Sequence, residues 1–286
     1  MPELPEVQTT VNGLQEKVLN RTFIDIWSDW EKLVKRPRDF ALFKKELKDK
    51  KIVRVWRRAK NVIFELSDGY SLLIHQKMTG HLMVGTWIFL EGRWQSQKRG
   101  PLDEKINTFL HLILFLDNGE MIALSDLRKF AKAELWKTPE LLEDLKQWGP
   151  EPLEKEFTFK KFQQCLQRKK KGKIKQVIMD HTIIAGVGNI YASEALWWSK
   201  IHPERNVASL SEKELRLLYA AIQKVLLQGI KFRGGSFSDY RDVEGKKGEF
   251  EDITKTYQRE AEPCYRCKTP IRRIMFGGRS AFLNQQ

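Results

Sequence analysis

The chain has 286 residues, 51 Lys and Arg against 37 Asp and Glu, a formal net charge of +14, and 41% hydrophobic residues. That is enough for two domains, each with its own core. No apolar run approaches the roughly 18–20 residues of a membrane span, and three cysteines (Cys165, Cys264, Cys267) are too few for a disulfide framework. The positive excess points to a polyanionic partner, nucleic acid first. The acidic start lacks the basic and apolar regions of a secretory signal. A cytoplasmic, nucleoid-associated monomer with no membrane partner is expected.

In chain order, Val7, Val11, Leu14 and Val18 have the spacing of a helix with one buried stripe over 6–18. Short β-type runs follow: Ile52–Trp56, Val62–Leu66 and Leu72–Ile74. Arg57-Arg58-Ala59-Lys60 lies between the first two, and an Asp68-Gly69 turn precedes the third. Leu110–Leu116 and Met121–Leu124 flank Asp117-Asn118-Gly119, a strong hairpin signal. The polar stretch Trp87–Lys105 reads as a long loop. Gln147-Trp148-Gly149-Pro150-Glu151-Pro152 breaks any helix and reads as a linker. Beyond it the period becomes helical at Phe157–Leu166, Ile174–Met179 and Glu212–Leu227, with Gly186-Val187-Gly188-Asn189 as a tight turn. The end is glycine-rich and charged, with a short cysteine-containing hairpin pattern. The fold class expected is α+β. An N-terminal β-sandwich with a leading helix spans 1–136 and a linker 137–153. A helical domain spans 154–235, and a loop with a terminal finger-like hairpin spans 236–286.

The start, Met1-Pro2-Glu3-Leu4-Pro5-Glu6-Val7, carries chemistry. Methionine before proline is normally trimmed, which would leave Pro2 with a free secondary amine. A terminal amine titrates near 7.7–8.0, so much of it is unprotonated and nucleophilic at neutral pH. Glu3 and Glu6 stand beside it as proton donors or shuttles. The same residues also suit an ordinary helix start, with proline in the first turn and acids on the positive end of the dipole.

Seven segments in order resemble the formamidopyrimidine-DNA glycosylase family and its sister, endonuclease VIII. They are Pro2–Val7, Arg57–Lys60, His75-Gln76-Lys77-Met78-Thr79-Gly80, Asp126-Leu127-Arg128-Lys129-Phe130, Ile174–Glu194, Gly234-Gly235 with Asp239-Tyr240, and Glu262-Pro263-Cys264 with Gly278-Arg279. Respectively they resemble the family's catalytic terminus, basic hairpin loop, intercalation loop, Asp-x-Arg-Arg-Phe segment, helix–two-turn–helix, lesion-capping loop and terminal finger.

The resemblance implies a bifunctional DNA glycosylase and apurinic/apyrimidinic lyase, acting on oxidised purines such as 8-oxoguanine and formamidopyrimidines in double-stranded DNA. The Pro2 nitrogen would attack C1′ of a nucleotide turned out of the stack, expel the base and form a Schiff base, from which β- and δ-elimination cut the strand. No metal or cofactor enters that chemistry. Glu3 would protonate the ring oxygen, Glu6 would support proton transfer, and Lys60 would contact a phosphate and the damaged base. Met78 and Phe130 would wedge into the gap while Arg128 bonds the orphaned base. Asn189 and Arg279 would hold phosphates, and Tyr240 would contact DNA. Oxidised pyrimidines are the alternative substrate. A non-catalytic lesion-binding protein is the alternative of another class.

Two departures stand out. The family finger holds zinc with two Cys-x-x-Cys pairs. Here Cys264 and Cys267 supply one pair, the third position falls on Asn284 and the fourth past Gln286. Two thiolates leave a tetrahedral site half made, so the hairpin is expected to fold without zinc, on Ile271, Ile274 and Phe282. The capping loop is also about one residue short of the family pattern, which bears on base preference and leaves the amine chemistry alone. Lys129 replaces the second arginine of the usual pair, keeping charge without the planar fork.

Overall fold

The structure is a computed structural model describing residues 1–284. The chain forms two compact units: Met1–Leu145 with Phe232–Glu251, and Lys146–Lys231 with the chain from Asp252 onward.

The first unit begins with α1 (Leu4–Val18), then β1 (Phe23–Trp27), β2 (Val34–Arg36), α2 (Phe40–Leu47), β3 (Ile52–Arg58), β4 (Asn61–Leu66), β5 (Tyr70–His75) and β6 (His81–Gly85). It continues through β7 (Trp87–Leu90), β8 (Arg93–Ser96), β9 (Leu110–Leu116), β10 (Met121–Ser125), β11 (Lys132–Lys137) and α3 (Thr138–Asp144). One sheet has the order β1-β9-β10-β6 and the other β2-β11-β5-β4-β3. Alternation along the strands sends Phe23, Ile26, Leu112, Leu114, Ile122 and Leu124 of one sheet against Val55, Val62, Phe64, Leu72 and Ile74 of the other. The apolar stripe of α1, Val7, Val11, Leu14 and Val18, joins that core. Burying each such side chain contributes about 1.5–3 kcal/mol, so the front of the chain is held by packing.

Three stretches differ from the sequence expectation. Trp87–Lys105, expected as a loop, contains the β7–β8 hairpin, closed at Glu91-Gly92 with φ of 52° and 79°. That is the positive-φ pair of a tight hairpin turn. Its Phe89 and Trp94 pack against Trp27, so aromatics inside a polar stretch supply the missing strand signal. The 137–153 stretch holds α3, whose Leu141 is fully buried. Residues 232–251 pack with the first unit, so the capping segment parts from the finger it was grouped with. The reason is a set of hydrogen bonds to α1, described below.

The second unit holds α4 (Phe159–Gln167), α5 (Ile174–Ile178), α6 (Asn189–Ser199), α7 (Glu212–Lys231) and the antiparallel pair β12 (Arg272–Phe276) and β13 (Arg279–Leu283). Glu194 of α6 is buried and its carboxylate accepts the N–H groups of Lys255, Thr256 and Tyr257 at 2.8, 2.8 and 2.9 Å. This pins the strand-free segment before the hairpin. No helix among the described residues is long and apolar enough to cross a membrane.

Candidate active site

Glu3 caps α1 and Pro5 stands in its first turn, where a missing N–H costs nothing. Glu6 reaches back so that Oε2 accepts the Glu3 N–H at 2.8 Å, the return arm of a capping box. Pro2, Glu3 and Glu6 are all buried. The amine of the terminus, carried here by Met1, is pushed below its ordinary value of 8.0, chiefly by burial. Lys60 pushes the same way; Glu3, Glu6 and Asp239 oppose. These charges therefore surround the front of the chain. Lys60 is placed by the two-residue turn between β3 and β4, where Ala59 has φ 51° and Arg58 pairs with Asn61. The Asn61 amide donates to the Arg58 carbonyl at 3.1 Å and stiffens that turn.

The capping segment is tied to the same helix turn. Gly235 N–H donates to Glu6 Oε1 at 2.8 Å. Gly234 sits at φ +79°, and a Cβ there would lie 2.7 Å from Glu6 Cγ and 3.0 Å from a Tyr240 ring carbon. Only glycine meets both the conformation and the approach. Ser236 Oγ donates to the Tyr240 carbonyl at 2.8 Å and accepts the Gly248 N–H at 2.9 Å, closing the loop on itself. Tyr240, expected to contact DNA, is instead 4% exposed, and its hydroxyl donates to the Glu6 carbonyl at 3.1 Å. The turn made by Gly234 and Ser236 folds it under the loop. Burial, with Glu6 and Asp242 adding, pushes its phenol well above the ordinary range, so it stays a neutral donor.

The expected wedge residues are exposed: Met78 is 41% and Phe130 51% accessible. The Arg128 guanidinium lies 4.5 Å from the centre of the Phe130 ring, so the two form one stacked pair. Lys129, in left-handed conformation, turns away to place its ammonium 4.9 Å from the Trp30 ring.

In the second unit Asn189 opens α6 behind Gly188, and its Oδ1 is buried without a hydrogen-bond partner among the described residues. Arg279 is exposed at the start of β13, presented by the Gly277-Gly278 turn with φ of 57° and 73°. A buried lysine links them. Lys175 Nζ donates to Ser193 Oγ and to the Ser280 carbonyl, both at 3.0 Å, and Ser193 Oγ donates to the Asn189 carbonyl at 2.8 Å. Arg279 and Lys175 share the lining of one shallow pocket with Gln176 and Asp180.

The cysteine pair does not fit a zinc site. Trp197 Nε1–H donates to Cys264 Sγ at 3.4 Å and Asn284 Nδ2–H to Cys267 Sγ at 3.3 Å. An amide N–H turned toward sulfur is a donor, not a ligand. Among the described residues no three His, Cys, Asp or Glu side chains converge. The Asn284 amide, then Thr269, lowers the Cys267 thiol to about 6. Cys264, Ile271, Phe282 and Trp197 form the apolar seat of the hairpin.

Residues 1–133 match the formamidopyrimidine-DNA glycosylase N-terminal domain and residues 148–241 the formamidopyrimidine-DNA glycosylase H2TH domain. A formamidopyrimidine-DNA glycosylase of Herpetosiphon aurantiacus is 38% identical over 99% of this chain and 98% of its own. The chain belongs to the formamidopyrimidine-DNA glycosylase family. Another relative, from Pelotomaculum thermopropionicum, is 36% identical over 99% and 97% of the two chains. Two Lactococcus lactis Fpg structures share its fold. One, of a point mutant with Fapy-dG-containing DNA, has a TM-score of 0.85 at 33% identity over 98% and 97% of the chains. The other, with abasic-site DNA, gives 0.84 at 32% identity over the same shares.

Several residues of this family member carried no assigned role from sequence: Asp239 near the amine, Lys175 between the phosphate candidates, and Thr79 and Asp126 behind the wedge. Lys175 stands beside Gln176 in Ile174–Ile178, where a lysine reads as solvated; only the structure shows that it is 2% exposed.

Proposed function

We propose that the amine of Pro2, freed by removal of Met1, is the nucleophile of a DNA glycosylase for oxidised purines that also cleaves the resulting abasic site. The observation that carries this is the buried front of the chain, where Pro2, Glu3 and Glu6 are all buried and Glu6 accepts the N–H groups of both Glu3 and Gly235. Burial favours the neutral amine, the form with a free electron pair. That pair attacks C1′ of the extruded nucleotide, and the bond to the base breaks with its electrons. Glu3 supplies a proton to the ring oxygen. The bound nitrogen loses its proton, the C1′–O4′ bond breaks as that oxygen is protonated, and the nitrogen pair closes the iminium, whose pull on C2′ permits loss of the 3′ and then the 5′ phosphate. Glu6, tied to both Glu3 and Gly235, holds donor and capping segment in one frame. Lys60, Asn189 and Arg279 bind phosphate. Arg128 bonds the base left behind, while Met78 and Phe130 fill the gap. The partner is double-stranded DNA. The Cys264–Cys267 hairpin presents Arg279 without zinc, on the packing of Ile271 and Phe282.

Purines are favoured over pyrimidines by the family match and by the relatives crystallised with Fapy-dG DNA. Base release from duplexes carrying 8-oxoguanine, formamidopyrimidine or an oxidised pyrimidine tests this. Faster release of the two purine lesions is expected; faster release of the pyrimidine would overturn it.

A further inference from the structure

The wedge residues come from two turns well separated in sequence, and both turns close on one buried carboxylate. Asp126 is 1% exposed and Thr79 7%. The Thr79 hydroxyl donates to Asp126 Oδ1. The Arg128 N–H is shared between that same oxygen at 3.3 Å and Thr79 Oγ1 at 3.2 Å. The other carboxylate oxygen accepts the Ala131 N–H at 2.7 Å. The main chain of Asp126 is held as well: its N–H donates to the Phe109 carbonyl at 2.9 Å, and its carbonyl accepts the Lys129 N–H at 3.0 Å. The residue that follows Met78 is therefore fixed, and so are the residues on either side of the Arg128–Phe130 turn.

We propose that Asp126 and Thr79 form a clasp that sets the register of the Met78 turn against the Arg128–Phe130 turn, and so govern how well these side chains fill the gap and read the opposite base. The inference rests on the wedge roles given under the proposed function. The clasp holds the roots of side chains whose tips are exposed, which is the arrangement an insertion device needs. Charge-assisted bonds to a carboxylate are short and strong away from water, and the Thr79 hydroxyl is used twice, once as donor and once as acceptor. The Met78 turn is tightened from its other end too. His75 Nδ1 accepts the Lys77 N–H at 2.9 Å, and Lys77 takes φ 57°. Burial first, then Lys77, Lys132 and Lys60, lower the His75 ring to about 3, so its acceptor is present at any working pH. Gly80 completes the fit: a Cβ there would lie 2.4 Å from the Gln76 carbonyl and 3.3 Å from Ala131 Cβ. In Asp126→Asn one acceptor becomes a donor. It then faces either the Ala131 N–H or the shared Thr79 and Arg128 donors, so one arm of the clasp opens. Asp126 and Thr79 are positioning residues and touch no reacting atom.

The test is single-turnover excision of a purine lesion from duplex DNA, with cytosine or adenine opposite, for Asp126→Asn, Thr79→Val and Thr79→Ser. Nicking of an abasic site in single-stranded DNA, which has no stack to fill, runs in parallel and reports folding and amine chemistry. We expect Asp126→Asn and Thr79→Val to slow duplex excision about tenfold, the scale of a sub-ångström misplacement, and to narrow the cytosine-to-adenine ratio. Single-strand nicking should stay close to wild type, and Thr79→Ser, which keeps the hydroxyl, should behave as wild type. Unchanged duplex excision, or equal loss on both substrates, overturns the clasp. Met78→Ala and Phe130→Ala tell the two failures apart. If they slow duplex excision and Asp126→Asn does not, the clasp is wrong and the wedge stands. If none of them slows it, the wedge reading fails and the clasp with it.

Discussion

The front of the chain and the wedge turns belong to the same unit and are built in opposite ways. Glu3 and Glu6 are 2% and 1% exposed and tied into the first turn of α1; Met78 and Phe130 are 41% and 51% exposed. Groups that move protons act through fixed fields, which are strongest where water is excluded. On the roles proposed for Met78 and Phe130, these two have nothing to fill until DNA arrives, which fits side chains that stand in solvent with only their roots fixed. The terminal hairpin takes this further: Arg279 is exposed on a two-stranded ribbon seated by a few apolar side chains. A phosphate contact asks for charge at the right place and little else.

The contrast breaks most sharply at Glu3. Glu3→Gln is expected to lower base excision by about a hundredfold, the low end for loss of a positioned acid, while a preformed abasic site is still cut because its sugar already opens to the aldehyde without a proton from Glu3. Equal loss on both substrates would remove the proton-donor role. Next in size is Gly234→Ala. Its φ of +79° and the 2.7 Å approach to Glu6 predict a loss of about 1–3 kcal/mol in denaturant titration, with slower excision as Glu6 is displaced. Wild-type stability would mean that the capping segment is not held as described.

The pH profile sharpens the same comparison. The reactive amine must be neutral, and the terminal amine at this end of the chain, carried in the structure by Met1, is pushed down chiefly by burial. Single-turnover excision by the trimmed enzyme should therefore rise with pH and level off through a midpoint below that of a solvent-exposed N-terminal proline. A midpoint equal to that of a short peptide beginning Pro-Glu contradicts a buried nucleophile. The smallest effect is expected at the finger. Metal analysis should find no stoichiometric zinc, and a strong chelator should leave duplex binding unchanged. Bound zinc, or binding lost to the chelator, would show that the two thiolates recruit a ligand from elsewhere.

Much of the sandwich was legible because the short β-type runs Val62–Leu66 and Leu110–Leu116, and the Asp117-Asn118-Gly119 turn, are local signals. The α1 stripe was legible for the same reason. The β7–β8 hairpin was hidden because its turn residue Glu91 takes a positive φ that its side chain does not advertise. The candidate catalytic residues were named from a terminal pattern and a family likeness, but their mutual support was not. Tyr240 was expected to contact DNA; its place under the capping loop follows from Gly234, Ser236 and a carbonyl of α1, a long-range closure that no window of sequence contains. Asp126 and Thr79 likewise meet only after the strands between them have paired.

The account turns on a covalent bond between Pro2 and deoxyribose. Borohydride reduction of the working enzyme on a purine-lesion duplex, followed by proteolysis and mass spectrometry, tests it most directly. The account predicts a reduced sugar adduct on a peptide that begins at Pro2. An adduct on a lysine, or full activity in protein that retains Met1, would contradict it.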